Sequence, residues 1–243
     1  MKKVFLTISY DGTDYHGWQV QPNAVTVQQT FQDALYKLLG VNTDIIGCSR
    51  TDAGVHARMF CLNFRCDESI PESAFMLGLN SLLPHDISVK EYREVPDSFH
   101  ARYDCKGKTY RYYFYTGAPD PFLSRYSLKL VNTPDVDKIN RFCKTVVGTH
   151  DFFGFSASGR SVDDTVRTVT ECEFVKDGDR YYLTITANGF LYNMVRIIAG
   201  TAVDVSDGVL PDDTAIRVFE TKDRSFAGKT LPPQGLFLEK VYY

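Results

Sequence analysis

Apolar residues along this chain of 243 residues alternate between strand spacing and helix spacing, and the same order of elements occurs twice. Apolar residues at every second position predict strands, and apolar residues three or four positions apart predict helices. The first half is predicted to have strands at 2–10, 44–48, 59–65 and 87–95 and helices at 27–39 and 71–83. This β-α-β-β-α-β order is typical of an α+β fold with an antiparallel sheet.

Local signals support the ends of the two helices. Thr26 and Gln29 form a capping box before the first helix, and Gly40 is placed to end it. Ser69 and Glu72 form a second capping box before the second helix. These signals predict where each helix begins, independently of the apolar pattern.

The second half repeats the order, with strands predicted at 108–115, 167–176, 180–187 and 236–242 and helices at 134–147, 190–205 and 211–221. Thr133 and Pro134 mark the start of its first helix, and Asp177-Gly178 predicts a hairpin turn. We therefore expect an α/β (α+β) fold of two ferredoxin-like β-α-β-β-α-β halves with antiparallel sheets, residues 1–100 and 101–243. A cleft between the halves is the expected binding site.

The composition is that of an ordinary soluble protein, with 44% hydrophobic and 23% charged residues. No apolar run approaches the roughly 18 residues of a membrane span, and Met1–Phe5 alternates like a strand rather than a signal peptide. We therefore expect a cytoplasmic protein that does not bind a membrane. Six dispersed cysteines predict reduced thiols, and His56 near Cys61 lacks the ligand spacing of a zinc site.

The charge balance bears on nucleic-acid binding. The net charge is −3, from 27 Lys and Arg against 30 Asp and Glu, which argues mildly against an RNA partner because phosphate contacts need basic surface. Net charge does not describe patches, so RNA binding stays open. In Lys106–Tyr115, aromatic residues alternate with Lys and Arg, which suits stacking on bases, although packing in two cores explains most of these side chains better.

The loop Gly47–Ala57 combines Arg50, Asp52, Gly54 and His56 between two predicted strands. A structural turn, in which Asp52 accepts backbone N–H groups and Gly54 takes a positive φ, explains these residues on their own. A functional loop explains why a carboxylate, a guanidinium and an imidazole occur together. The residues alone favour the structural turn without excluding a functional loop.

Arg196 lies inside the apolar helical run Met194–Ala199. A buried arginine needs a carboxylate partner, which is either structural or a catalytic aspartate kept ionised by the guanidinium. A Ser/His/Asp hydrolase is a further alternative because Ser49, Ser156 and His56 are present, but the sequence has no G-x-S-x-G motif. It also has no glycine-rich phosphate loop.

The motifs of this chain resemble, in order and over essentially its whole length, those of the tRNA pseudouridine synthase A family. They are Tyr10-Asp11-Gly12-Thr13, Gly17-Trp18-Gln19, Arg50-Thr51-Asp52-Ala53-Gly54-Val55-His56, Phe99-His100-Ala101-Arg102, Tyr110-Arg111-Tyr112, His150-Asp151-Phe152, Asn193-Met194-Val195-Arg196 and Gly235-Leu236-Phe237-Leu238. The heptapeptide around Asp52 is highly specific. Leu231 before Pro232 departs from the family, which more often has a small residue there.

The resemblance implies that the protein isomerises uridine to pseudouridine at positions 38, 39 and 40 of the tRNA anticodon stem-loop. Asp52 is then the nucleophile, Arg196 its ion-pair partner, and Tyr110 a residue that lies against the uracil and takes part in proton transfer. The reaction needs no redox step, so we expect no cofactor and no metal. Whether Asp52 attacks C1′ of the ribose or C6 of the base stays open.

The same resemblance implies further substrate contacts and a homodimer in which each tRNA touches both subunits. Leu236 packs on the base, Arg50 fills the gap left by the flipped nucleotide, and His56 joins them in substrate binding. A catalytically silent RNA-binding module of the same fold is the alternative. An aspartate-dependent hydrolase is a third interpretation, against which the lack of a paired base or metal cluster counts.

Overall fold

The computed structural model describes residues 1–159 and 163–243. The chain divides into two units, Met1–Lys106 together with Phe237–Tyr243, and Gly107–Leu236. The sequence-based division at 100/101 differs from this one, because residues Phe237–Tyr243 return to the first unit. The physical reason is that this last segment pairs with a strand far away in the sequence.

The first unit follows the predicted β-α-β-β-α-β order. Its elements are β1 (Lys2–Tyr10), α1 (Val27–Leu39), β2 (Ile46–Gly47), β3 (His56–Cys66), a π-helical turn (Ala74–Gly78) that continues into α2 (Leu79–Leu82), and β4 (Ile87–Val95). β1 lies between β4 and β3, and β2 pairs with β3, all antiparallel. The α+β fold class and the antiparallel sheet expected from the sequence are confirmed.

Helix α1 begins and ends where the sequence predicts. The Thr26 side chain accepts a hydrogen bond from the Gln29 N–H at 3.3 Å, and Gly40 ends the helix in the left-handed region with φ of 73°. The apolar stripe is buried on one face, with Phe31 and Leu35 fully inaccessible to solvent. Local capping and core burial therefore specify the same boundaries.

The second helix is shorter than predicted, and the prediction of a capping box at Ser69 and Glu72 is wrong. The backbone N–H and the hydroxyl of Ser69 both bond to Oδ1 of Asp67, at 2.8 and 2.7 Å. Ser69 therefore belongs to a local turn closed by the Asp67 side chain and does not cap the helix. The helical residues start at Ala74, in a π-helical turn.

The second unit contains β5 (Gly107–Tyr115), α3 (Pro121–Ser124), β6 (Leu128–Lys129), α4 (Val136–Val146), β7 (Gly148–Asp151), β8 (Val166–Asp177), β9 (Arg180–Ala187), α5 (Met194–Ser206) and α6 (Thr214–Thr221). Its main strands run in the order β5-β9-β8-β7 and are antiparallel. The predicted hairpin is confirmed: Asp177 pairs with Arg180 across a turn in which Gly178 has φ of 62°.

All three helices predicted in this unit start later than expected, and α6 begins at Thr214 rather than at residue 211. Helix α4 is capped by Asp135, whose Oδ1 accepts the Lys138 N–H at 2.9 Å, so Thr133 and Pro134 lie before it. Helix α5 starts at Met194, four residues later than predicted, after Asn193 in the left-handed region with φ of 59°. Asparagine tolerates this backbone conformation better than most residues.

The last strand, β10 (Leu236–Tyr242), pairs in parallel with β3, joining Phe237 to His56 and Leu238 to Ala57. The following Tyr243 packs its ring against Phe5, with ring centroids 5.3 Å apart. These contacts explain why residues Phe237–Tyr243 belong to the first unit. Among the described residues, no helix has the length and apolar character needed to cross a membrane.

Candidate active site

The loop that carries Asp52 connects β2 to β3 in the first unit. Asp52 is half-buried, and Arg50 is exposed. A hydrogen bond of 3.1 Å from the Val55 N–H to the Asp52 carbonyl closes a tight turn, in which Gly54 has φ of 75°. The structural-turn interpretation therefore describes the backbone around Asp52 correctly.

The end of β1 and the segment after it hold this loop from both sides. The Tyr10 hydroxyl lies 2.8 Å from Oγ1 of Thr51, and the Trp18 N–H donates to the Thr51 carbonyl at 3.1 Å. On the other side, the Gly54 N–H donates to the Tyr15 carbonyl at 3.1 Å. The N-terminal motifs thus support the loop that carries the Asp52 motif, which explains why both occur in the same chain.

Two glycines of the N-terminal motifs allow this close approach. A Cβ on Gly12 would overlap the Val55 carbonyl oxygen, and a Cβ on Gly17 would lie 2.5 Å from the Thr51 carbonyl oxygen. Gly17 also has φ of 86°, which disfavours any other residue. Backbone therefore packs directly on backbone at both ends of the Asp52 turn.

We expect Gly12→Ala to destabilise the protein by about 1 to 3 kcal/mol, because the added methyl group must displace main-chain atoms of the Asp52 loop. Urea unfolding measures this change. Gly78→Ala is the matched control, since its Cβ would meet only the flexible Leu38 side chain, at 3.0 Å, and alanine favours a helix. Equal stability of wild type and Gly12→Ala would contradict the close packing.

His56 is fully buried and lies behind the loop. Its ring stacks on Phe237, with centroids 4.4 Å apart. Its Nδ1 is 3.1 Å from the Gly12 nitrogen and 3.0 Å from Oδ1 of Asp11. Nδ1 accepts from Gly12 when unprotonated and donates to Asp11 when protonated. This burial favours a role in holding the Asp52 loop over the direct substrate contact predicted from the sequence.

Tyr110 lies on β5 in the second unit and is 7% exposed. Its ring contacts the Phe190 ring in an edge-to-face arrangement, with ring centroids 5.0 Å apart. Tyr112, two residues on, is fully buried and donates its hydroxyl to the Pro232 carbonyl at 2.6 Å. Burial raises the pKa of Tyr112 above its ordinary value, so it stays protonated and serves packing.

Arg196 lies in the first turn of α5 and is half-buried. Its Nε donates to the Leu231 carbonyl at 2.6 Å, and its guanidinium donates to Oδ1 of Asn193 at 2.7 Å. The backbone turn at Asn193 therefore both starts the helix and orients the arginine. An ion pair of Arg196 with Asp52, which the sequence predicts, remains a proposal.

The segment from Gly228 to Leu236 runs along α5. Its Gly228 N–H donates to Oγ1 of Thr201 at 2.9 Å. Leu231 has room here because Gly200 faces its side chain: a Cβ on Gly200 would lie 3.3 Å from Cγ of Leu231. The segment leads into β10 at Leu236, a predicted substrate-binding residue that is buried in the structure.

The motif His150-Asp151-Phe152 has a structural role. Asp151 binds the Lys222 ammonium at 2.8 Å and the Thr165 hydroxyl at 2.5 Å. Burial alone would raise the pKa of Asp151, but these hydrogen bonds hold it below its ordinary value. His150 stacks on Phe219, with centroids 4.3 Å apart. These contacts join β7 to α6 and give no support to a Ser/His/Asp hydrolase.

Sequence reasoning missed two positioning residues. Asp11 contacts the histidine behind the Asp52 loop, and Asn193 binds the Arg196 guanidinium. Both lie inside motifs that were singled out, Tyr10-Asp11-Gly12 and Asn193-Met194-Val195-Arg196. The signal available in the sequence was a polar residue next to a required glycine in the case of Asp11, and a polar residue at a helix start in the case of Asn193.

The predicted site residues are shared between the two units. The first unit brings together Arg50, Asp52 and His56 on one supported loop, and the second holds Tyr110, Arg196 and Leu236. Within residues 1–159 and 163–243, no three His, Cys, Asp or Glu side chains form a group that could hold a metal ion. Absence of a metal and of a cofactor from the reaction stays a prediction.

Comparison with known proteins agrees with these motifs. The sequence model of a family described as tRNA pseudouridine synthase matches residues 6–104 and 142–243. A protein of Ruminiclostridium cellulolyticum named tRNA pseudouridine synthase A is 45% identical over the full length of both chains. Proteins of the same name from Clostridium kluyveri and Caldicellulosiruptor bescii are 44% and 45% identical, also over the full length of both chains. With matches of this extent, and with its Asp52 loop supported by the N-terminal motifs, the chain belongs to the tRNA pseudouridine synthase family.

Proposed function

We propose that this protein isomerises uridine to pseudouridine at positions 38, 39 and 40 of the tRNA anticodon stem-loop, with Asp52 as the nucleophile. The observation that carries the proposal is the full-length similarity to proteins named tRNA pseudouridine synthase A, one of which is 45% identical. The half-buried Asp52 on a loop fixed by main-chain contacts supports it. A fixed loop holds a nucleophile in one geometry, which is what positional catalysis requires.

The chemistry needs a nucleophile and no change of oxidation state. The bond between C1′ and N1 of uridine breaks, the uracil turns, a bond from C1′ to C5 forms, N1 gains a proton and C5 loses one. A carboxylate supports this sequence by forming a covalent intermediate that keeps the two parts together. The Asp52 carboxylate takes that role in the proposal.

The remaining predicted residues have roles that match their surroundings. Arg196, oriented by Asn193 and Leu231, pairs with the Asp52 carboxylate and keeps it ionised. Tyr110 places its ring on the uracil and moves a proton through its hydroxyl. Exposed Arg50 occupies the space of the flipped nucleotide, whose unstacking costs a few kcal/mol.

The finer parts of the proposal concern where the protein works and in which assembly. We propose a cytoplasmic homodimer in which each tRNA contacts both subunits, and a reaction that uses no cofactor. Leu236 packs on the target base. Sedimentation of the protein with and without tRNA tests the dimer, because one tRNA bound across two subunits gives a defined mass.

The decisive measurement is release of tritium from unmodified tRNA transcripts labelled at C5 of uridine. Pseudouridine formation exchanges that hydrogen with water, so we expect stoichiometric release from transcripts with uridine at positions 38 to 40. Transcripts with cytidine at those positions are the control. Tight tRNA binding without tritium release would instead identify a catalytically silent RNA-binding module.

We expect tRNA affinity to fall steeply with salt, although the net charge of the chain is −3. Lys and Arg that contact phosphates release counterions, and each contact to a single-stranded region adds about −0.7 to the slope of log affinity against log salt. Filter binding between low and physiological salt measures the slope. Affinity that does not depend on salt would contradict a basic binding surface.

A further inference from the structure

Two cysteines face each other at the base of the loop that carries Asp52. Strand β2 pairs with β3 in antiparallel register, with Gly47 opposite Leu62. The next pair in that register is Cys48 and Cys61, and the Cys48 N–H donates to the Cys61 carbonyl at 2.8 Å. Both side chains are buried, and both are present as thiols. The fold thus brings two sulfurs together beside the proposed nucleophile.

The positions of Cys48 and Cys61 suit a disulfide. Residues directly opposite each other on antiparallel strands have Cα atoms about 4.5 or 5.5 Å apart, according to the hydrogen bonding of the pair. Disulfides span Cα distances of about 4.4 to 6.8 Å. The Cys48 sulfur already lies against the other strand, because the Cys61 N–H donates to it at 3.3 Å. The strands can therefore stay paired while a bond forms between the two sulfurs.

Cys61 has the surroundings of a reactive thiol. A hydrogen bond with the Cys48 thiol lowers the pKa of Cys61 below its ordinary value, although burial acts in the opposite direction. Hydrogen bonds with the hydroxyls of Thr7 and Tyr243 lower it further. Burial and the nearby sulfurs raise the pKa of Tyr243, so this hydroxyl keeps its proton and stays a donor. Because the thiolate is the form that attacks an oxidant, Cys61 is the first of the pair to react.

A bond between the sulfurs requires movement on the side of the Asp52 loop. Opposite Cβ atoms are about 4.5 to 5.5 Å apart in a sheet and about 3.8 Å apart in a disulfide, so closure takes on the order of 1 Å. The backbone before Cys48 has no room to move, because a Cβ on Gly47 would lie 2.8 Å from ring atoms of both Trp18 and Phe60. Cys48 is followed four residues later by Asp52. The displacement therefore falls on the loop that carries Asp52.

We propose that Cys48 and Cys61 are a site of reversible oxidation, at which a peroxide joins them in a disulfide that slows the reaction at Asp52. The Cys61 thiolate attacks one peroxide oxygen, the O–O bond breaks, and a sulfenic acid forms while the other oxygen leaves as hydroxide. The Cys48 thiolate then attacks the Cys61 sulfur, the S–O bond breaks and a second hydroxide leaves. The two thiol protons turn both hydroxides into water, so the protein loses two electrons and the peroxide gains them.

The first measurement maps the disulfide and does not depend on the proposed function. The full-length protein is treated with hydrogen peroxide, its remaining thiols are blocked with iodoacetamide, and a tryptic digest is analysed by mass spectrometry without reduction. Trypsin cleaves after Arg50 and Arg58, so the two cysteines lie on separate peptides. We expect a cross-linked pair of peptides containing Cys48 and Cys61, which dithiothreitol separates. Absence of this cross-link would overturn the inference.

A second pair of neighbouring thiols provides the internal comparison. The hydrogen bond with Cys143 and burial raise the pKa of Cys172 well above its ordinary value, so Cys172 stays protonated at neutral pH. We therefore expect Cys48 and Cys61 to be cross-linked at lower peroxide concentrations than Cys143 and Cys172. Cross-linking of Cys143 to Cys172 alone would contradict the inference.

The second measurement compares tritium release by the oxidised and the reduced protein, and this part rests on the proposed function. We expect oxidation to lower turnover at least tenfold and dithiothreitol to restore it, because misplacement of about 1 Å costs up to roughly 100-fold in rate. The melting temperature does not fall, since a cross-link constrains the unfolded chain. A lower melting temperature would identify damage by peroxide and overturn the inference.

Serine variants assign the effect to this pair. Cys48→Ser keeps an acceptor for the Cys61 N–H, and we expect peroxide to leave its turnover within about twofold of its own reduced form. Cys61→Ala is the second variant, with the same expectation. Cys172→Ser is the matched control, and peroxide inhibits it as it inhibits wild type. Equal inhibition of Cys48→Ser and wild type would overturn the inference.

The two measurements separate failure of this inference from failure of the proposed function. A mapped disulfide between Cys48 and Cys61 with unchanged turnover of an active protein defeats the inference alone. If the reduced wild type releases no tritium, the proposed function fails, and the mapped disulfide by itself then decides whether Cys48 and Cys61 are a site of oxidation.

Discussion

Asp52→Asn is expected to reduce uridine isomerisation to background while the protein stays folded and binds tRNA. The amide has the size of the carboxylate but is a neutral, poor nucleophile, so the covalent intermediate does not form. The turn around Asp52 persists, because the contacts that hold it come from the main chain of Val55, Gly54 and Thr51. We expect tRNA affinity to change by less than about tenfold, or 1.4 kcal/mol.

Three measurements on one preparation decide this prediction: tritium release, tRNA affinity and melting temperature. Asp44→Asn, at an exposed aspartate before β2, is the matched control and keeps wild-type turnover. A purely structural role of Asp52 predicts a lower melting temperature with normal turnover per folded molecule. A folded Asp52→Asn protein that isomerises uridine at a rate comparable to wild type would falsify the assignment of the nucleophile.

Tyr110→Phe is expected to lower turnover by about 100-fold to 10,000-fold, the range that general acid–base groups contribute. The variant keeps the ring that packs edge-on against Phe190 and removes only the hydroxyl. The proposed stacking on the uracil is therefore preserved, and we expect tRNA affinity to stay near that of wild type. Single-turnover tritium release, with enzyme in excess over tRNA, measures the chemical step directly.

Tyr113→Phe is the matched control for Tyr110→Phe, because Tyr113 is half-buried on the same strand with its side chain on the opposite face. It packs near Tyr182, with ring centroids 6.0 Å apart, and we expect turnover within about threefold of wild type because one neutral hydrogen bond contributes little. Equal turnover of Tyr110→Phe and wild type would restrict Tyr110 to packing.

Local signals in the sequence were sufficient where an element depends on its own residues. Helix α1, with its cap at Thr26 and its end at Gly40, and strand β4 were predicted at their observed boundaries. The predictions were wrong where two nearby side chains compete to form the same local hydrogen bonds. Asp67 takes the hydrogen bonds of Ser69, and Asp135 caps α4 in place of Thr133. Several donors and acceptors within a few residues cannot be ranked without knowing which ones are buried.

The sequence by itself determined the β-α-β-β-α-β order, the α+β class and the specific string around Asp52 that marks the family. Only the tertiary structure decided that β10 lies beside β3, that His56 is buried under Phe237, and that Gly12 packs on the Asp52 turn. Periodicity and capping act over a few residues, and a sequence pattern reports them directly. The support of the Asp52 loop instead joins residues far apart in the chain, whose proximity is set by strand pairing and packing across the whole unit.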